Sequence, residues 1–136
     1  MKIKNLMSDN VLTIREDTPF TEACRMFFQF KIHHLPVVNR VEELIGIVSS
    51  NDALKAYNEK IFNRILTYEE SVNDIIKIGD IMSHEIYFLN VDDDVSKAIL
   101  LFKEFNIHST PVQEARKLVG ILTTTDVINA IETVPE

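Results

Sequence analysis

In the stretch TPFTEACRMFFQFKI the apolar residues Ala23, Met26, Phe27 and Phe30 recur at i, i+3, i+4 and i+7. In DDVSKAILLFKEFNI, Ala98, Leu101, Phe102 and Phe105 do the same. Each set is one stripe of an amphipathic helix, and core packing is the reading such a stripe supports. Thr18 before Pro19 predicts an N-cap followed by a proline at the first helical position. Asp94 predicts the cap of the second helix.

After each helix comes LPVV or TPVQ, then a polar turn, then LIGIVS or LVGILT. Short β-branched runs on either side of a polar stretch predict a two-stranded hairpin. Pro36 and Pro111 are expected at strand starts, where a missing N–H is tolerated. SSNDALKAY and TTTDVINAI predict helix starts, because Ser, Thr, Asn and Asp cluster where orphan N–H groups need acceptors. VLTI and IYFLNV each predict one more strand ahead of the first helices.

The pattern is therefore written twice. Met7 and Met82 stand 82 − 7 = 75 apart, as do Ala23 and Ala98, His33 and His108, and Pro36 and Pro111. Gly46 and Gly120 stand 120 − 46 = 74 apart, as do Asp52 and Asp126. One residue has been lost between the proline and the glycine, where the turn should lie. Each half reads β-α-β-β-α, an α/β (α+β) arrangement. One half has too small a core to be stable alone, so two halves are expected to pack face to face about a pseudo-twofold axis. Residues 57–77 do not repeat. Ile61, Phe62, Ile65 and Leu66 keep a helical period, which predicts that the second helix runs on. Val72, Ile75 and Ile76 predict a further short turn. This connector either covers the core of its own module or meets another subunit.

Composition narrows the function. At 136 residues, with 46% hydrophobic and 26% charged residues, the chain can fold around a real core. The net charge of −7 disfavours nucleic-acid binding. No apolar run reaches the roughly 18 residues of a membrane span, and the N-terminus lacks the apolar core of a signal peptide. Cys24 is the sole cysteine, consistent with a reducing, cytoplasmic setting and, amid Met26 and Phe27, with an inert buried thiol. Three glycines cannot write a GxGxxG fingerprint or a P-loop. The carboxylate runs at 42–43, 69–70 and 92–94 read as solvated turns and a helix start. Nothing points to catalysis, and no cofactor is expected.

The leading segments IKNLMS and IGDIMS, the segments IHHLPVV and IHSTPV, and the closing GIVSSND and GILTTTD, in order and twice, resemble the CBS domain. The pair resembles a Bateman module over residues 1–56 and 78–132, which divides the chain into a first repeat (1–56), a helical connector (57–77) and a second repeat (78–136). The resemblance implies a sensing module that binds adenosyl compounds in clefts between the repeats and controls a partner protein, itself unidentified. It also implies a homodimer.

The closing motifs place Ser49 three residues before Asp52, and Thr123 three before Asp126, at strand-to-helix junctions. An ionised carboxylate can accept from both hydroxyls of a ribose. A Ser or Thr hydroxyl beside a helix start can hold a phosphate. The resemblance implies these roles for all four residues. Simple N-capping needs the same residue types and is the competing reading. The resemblance also aims His33, His34 and His108 at phosphates. Arg is absent from these positions, and imidazole is mostly neutral at pH 7, which fits AMP, ADP or S-adenosylmethionine better than tight ATP binding. A metal held by the histidines is the weaker alternative. Adenine needs a flat apolar slot. The resemblance implies that the leading strand borders the cleft, which makes Val11, Leu12 and Thr13, and by symmetry Ile86, Tyr87 and Phe88, the candidates, with Tyr87 available to stack. The rival function is a dimeric adaptor whose clefts stay empty.

Overall fold

The computed structural model describes residues 1–62, 64, 66 and 70–133. Along the chain run α1 (Phe20–Phe30), β1 (His34–Val38), β2 (Leu44–Ser49), α2 (Ser50–Lys60), α3 (Val72–Ile75), α4 (Ile78–Ile81), β3 (Leu89–Asn90), α5 (Val95–Phe105), β4 (Ser109–Glu114), β5 (Lys117–Thr123) and α6 (Thr124–Thr133). A single 3-10 turn, Ile3–Asn5, comes before them. The result is a mixed α+β protein with two small sheets, β1-β2 and β3-β4-β5.

Both hairpins form where the β-branched runs flanking a polar stretch predict them. Residue pairing runs from His34 opposite Ser49 to Val38 opposite Leu44, and from Ser109 opposite Thr123 to Glu114 opposite Lys117. Each carries a bulge just before the shared glycine, between Val37 and Val38 and between Val112 and Gln113. The lost residue is in the turn. The first turn is held by Asn39, whose Oδ1 accepts from the N–H groups of Val41 and Glu43 at 3.0 and 2.9 Å. The second is a two-residue turn in which Ala115 and Arg116 both take positive φ, at 50° and 72°.

The strands expected at VLTI and IYFLNV are much shorter than the sequence suggests. Ile14 makes one parallel bridge to Val37, donating to the carbonyl of Pro36 at 3.0 Å and accepting from the N–H of Val38 at 2.9 Å. The next rung back would need an N–H on Pro36, which has none. Pro36 and Pro111 lie third in their strands rather than first, and each stops the parallel ladder. In the second copy, Thr110 replaces the missing rung. Its hydroxyl donates to the carbonyl of Tyr87 at 3.1 Å.

The expected Thr18 cap is corrected. Thr18 Oγ1 accepts from the N–H of Arg15 at 2.8 Å, and Pro19 occupies the N-cap position of α1 with no side-chain acceptor to offer. Asn73 of the connector supplies one instead, accepting from the N–H of Thr21 at 2.9 Å. In α5, Asp94 caps directly, accepting from the N–H of Ser96 at 3.0 Å. The Ser96 hydroxyl, then this backbone N–H, and then the N-terminal ammonium lower the Asp94 carboxyl to about 2.

The chain forms two compact units, and they do not coincide with the sequence repeats. One is Leu12–Ile86; the other joins Met1–Val11 to the chain from Tyr87 onward. Each unit thus takes the leading segment of the other repeat. In the first, Ser83 and Ile47 exchange backbone hydrogen bonds at 2.8 and 3.0 Å; in the second, Ser8 and Ile121 do so at 2.9 and 2.8 Å. The core of the Leu12–Ile86 unit includes Ala23, Leu35, Val48, Ile76, Ile78 and Met82. The core of the other includes Ile3, Leu89, Ala98, Phe102, Val112 and Leu122. Helix α2 ends at Lys60, short of the predicted extension. Ile61, Leu66, Val72 and Ile75 pack on their own unit's core, as one of the two connector readings expects. Ile65 of the predicted helical stripe and Glu69 of the 69–70 carboxylate pair lie outside the described residues.

Candidate functional site

Strand β2 passes into α2 with no intervening loop, so one residue must end the strand and cap the helix. Ser49 does both. Its backbone is extended, its hydroxyl accepts from the N–H of Asp52 at 3.0 Å, and Asp52 Oδ2 accepts from the N–H of Ser49 at 2.9 Å. Thr123 and Asp126 repeat this at the β5–α6 junction, at 3.1 and 2.9 Å. Both pairs are capping boxes with Asp at the third helical position. Capping therefore accounts for the hydroxyls and for Oδ2 of each aspartate. Among the described residues, no hydrogen bond uses Oδ1 of Asp52 or Asp126.

The histidines meet these junctions through backbone and register. The carbonyl of His33 accepts from the N–H of Ser50 at 2.8 Å, and that of His108 from Thr124 at 2.9 Å. His34 lies directly opposite Ser49, and Ser109 opposite Thr123. The Leu12–Ile86 unit thus gathers His33, His34, Ser49 and Asp52. The other gathers His108, Ser109, Thr123 and Asp126. Burial pushes the His34 imidazole below its ordinary 6.5; neighbouring His33 adds to this, and Asp52 opposes it.

The adenine candidates divide between the units. Val11, Tyr87 and Phe88 belong to one; Leu12, Thr13 and Ile86 belong to the other. Leu12 and Thr13 are half-buried, and Leu12 packs on its unit's core. Tyr87 has one face taken. Its ring stacks on Phe105 at 4.2 Å between centroids, with 25° between planes. Among the described residues no group of three His, Cys, Asp or Glu side chains could hold a metal ion.

A feature the sequence reading missed is an open apolar groove of about 1040 Å³ between α1 and α2, lined by Phe20, Cys24, Phe27, Phe28, Leu54 and Tyr57 among others. Phe28 is 88% exposed and Leu54 68%, so neither belongs to the core stripe. That off-stripe placement is the signal a helical wheel carries. The groove touches His33 and Ser50 but neither aspartate. Cys24 lines it, half-buried, with its thiol pushed up by burial.

The CBS domain profile matches residues 3–59 and again 78–133. The chain belongs to the CBS domain family. Among solved structures, the CBS domain pair of protein MJ0100, in complex with 5′-methylthioadenosine and S-adenosyl-L-methionine, is 25% identical, with a TM-score of 0.74 over 97% of this chain and 96% of that one. CBSX2, in complex with AMP, is 26% identical, with a TM-score of 0.76 over 96% of each chain. Among curated proteins, homoserine O-acetyltransferase of Methanococcus vannielii is 28% identical over 130 residues. The match takes in 95% of this chain and 24% of that protein, so the chain spans about a quarter of the relative's length. Protein MJ1426 of Methanocaldococcus jannaschii, itself uncharacterized, is 27% identical over 96% of this chain and 91% of its own. Among the described residues, no helix of this CBS pair is long and apolar enough to cross a membrane.

Proposed function

We propose that this CBS pair is a regulatory sensor that binds an adenosyl compound (AMP, ADP, ATP or S-adenosylmethionine) and modulates a partner protein, with no chemistry of its own. The observation that carries the reading is the free Oδ1 of Asp52 and of Asp126. In both units a carboxylate is tied to its own helix start through one oxygen, while among the described residues the other makes no hydrogen bond. A carboxylate so positioned can accept from ribose hydroxyls without first losing side-chain freedom. Solved chains of comparable length and 25–26% identity, in complex with S-adenosyl-L-methionine and 5′-methylthioadenosine or with AMP, support it. Regulation requires that ligand bind one arrangement of the protein more tightly than another.

A thermal-shift panel of these four ligands, adenosine and 5′-methylthioadenosine tests the binding. Ligand at 100 times its dissociation constant adds about 2.7 kcal/mol of stability. No shift with any of them at millimolar concentration would refute the reading. Asp52→Asn and Asp126→Asn sharpen the test, because an amide oxygen can still cap while its NH₂ cannot accept from a ribose hydroxyl. Near-normal melting with weakened adenosine binding is expected.

A second reading, a dimeric adaptor without ligand, is favoured by the capping boxes, which need no ligand to explain them. Both readings include a homodimer, in which a second copy covers Phe28 and Leu54. Light scattering measures that stoichiometry.

A further inference from the structure

In an antiparallel ladder, directly opposite residues project from the same face of the sheet. The same-face neighbour of the capping hydroxyl is therefore an imidazole, His34, in one unit and a second hydroxyl, Ser109, in the other. His33 and His108 hold equivalent places and do not distinguish the units. Resting on the adenosyl-binding reading above, we propose that the two units take different ligands: the His34 unit takes an adenosyl ligand bearing a phosphate, and the Ser109 unit takes one without a phosphate.

The argument is one of charge beside a fixed carboxylate. A phosphate brought to Ser49 comes close to Asp52, which repels it. A proton on His34 places a cation and two N–H donors beside that phosphate and offsets Asp52. Ser109 cannot gain a proton, so Asp126 opposes an anion without that compensation. An uncharged thioether pays no such penalty there, and a sulfonium is attracted. His34 interacts with His33 and Asp52, and in the free protein partial burial, and after it His33, lower its affinity for a proton while Asp52 opposes them. Binding a phosphate must therefore draw a proton onto it.

Calorimetric titration of the full chain at pH 7 with AMP and with adenosine, in two buffers of different ionisation enthalpy, tests this. Wild-type protein should take up protons with AMP beyond the uptake shown by His34→Ser, a comparison that cancels the titration of the phosphate itself. His34→Ser should weaken AMP on the order of tenfold, the scale of a charge-assisted hydrogen bond, and adenosine hardly at all. Ser109 shows that serine is tolerated at this place in the hairpin. Ser109→His should create an additional AMP site. If His34→Ser leaves both ligands unchanged or weakens them equally, while Asp52→Ala weakens both, the charge assignment is overturned and adenosyl binding stands. If Asp52→Ala and Asp126→Ala both bind like wild type, or if no adenosyl compound binds, both proposals fall.

Discussion

Gly46 and Met82, 36 residues apart in sequence, share one space: a Cβ built on Gly46 would lie 2.6 Å from Sδ of Met82 and 2.9 Å from its Cγ. Gly120 and Met7 repeat the relationship at 2.6 Å, with the carbonyl of Ser8 at 2.9 Å as well. Neither glycine has a positive φ, so close approach and not backbone freedom requires it. Gly46→Ala should cost roughly 1–3 kcal/mol by overpacking. Gly120→Ala should cost more, because a backbone carbonyl yields less readily than a thioether. Urea melts read both. In the Gly46→Ala/Met82→Ala cycle, the double variant should lose less than the sum of the singles; simple additivity would show that the two side chains do not compete.

Asn73 caps a helix from a distance. Asn73→Ala frees the N–H of Thr21 and should destabilise by about 1 kcal/mol. Adding Pro19→Asp, which copies the Asp94 arrangement of α5, should recover part of that loss in the Asn73→Ala background and little in wild type. Equal gains in both backgrounds would show that Asn73 is not acting as the cap.

Thr110 is 1% exposed, and its hydroxyl replaces the rung that Pro111 cannot make. Thr110→Val keeps the shape but leaves the Tyr87 carbonyl without its donor. A loss of about 1–2 kcal/mol is expected, against near zero if the bond contributes nothing.

His34 gives stability a pH dependence of known sign. Its folded value lies below the ordinary 6.5, so the unfolded chain binds the proton more readily. Wild-type stability relative to His34→Ser should therefore fall as pH drops through about 6.5 toward the folded value, then level off. The effect is small, because His34 is only partly withdrawn from water and keeps much of its surface in contact with solvent. Denaturant midpoints at about pH 7.5 and about pH 5 measure it; a difference that does not change with pH would contradict the shift.

Much of this was readable from residue spacing. The 3.6-residue period of Ala23, Met26 and Phe27 located α1, and the one-residue deficit between Pro111 and Gly120 located the shortened turn. Asp94 announced its cap because both partners are local. Thr18 misled because its hydroxyl closes the preceding turn on Arg15, a competition that spacing cannot resolve. Ser49 and Asp52 were visible as a pair, but capping and ligand binding demand the same chemistry, so only the geometry separates Oδ2 from Oδ1. The exchange of leading segments was hidden because Met7 and Met82 match each other in sequence, while each packs against the other's glycine.

That exchange has a consequence for how the chain can be divided. A fragment stopping near residue 60 would carry β2 without Ser83, leaving the N–H and carbonyl of Ile47 as an open, adhesive edge. It would also lack Ile76, Ile78 and Met82 from its interior. Neither copy is thus self-sufficient as inherited material: a gene cut at the apparent midpoint would yield two incomplete proteins, each holding the other's missing piece.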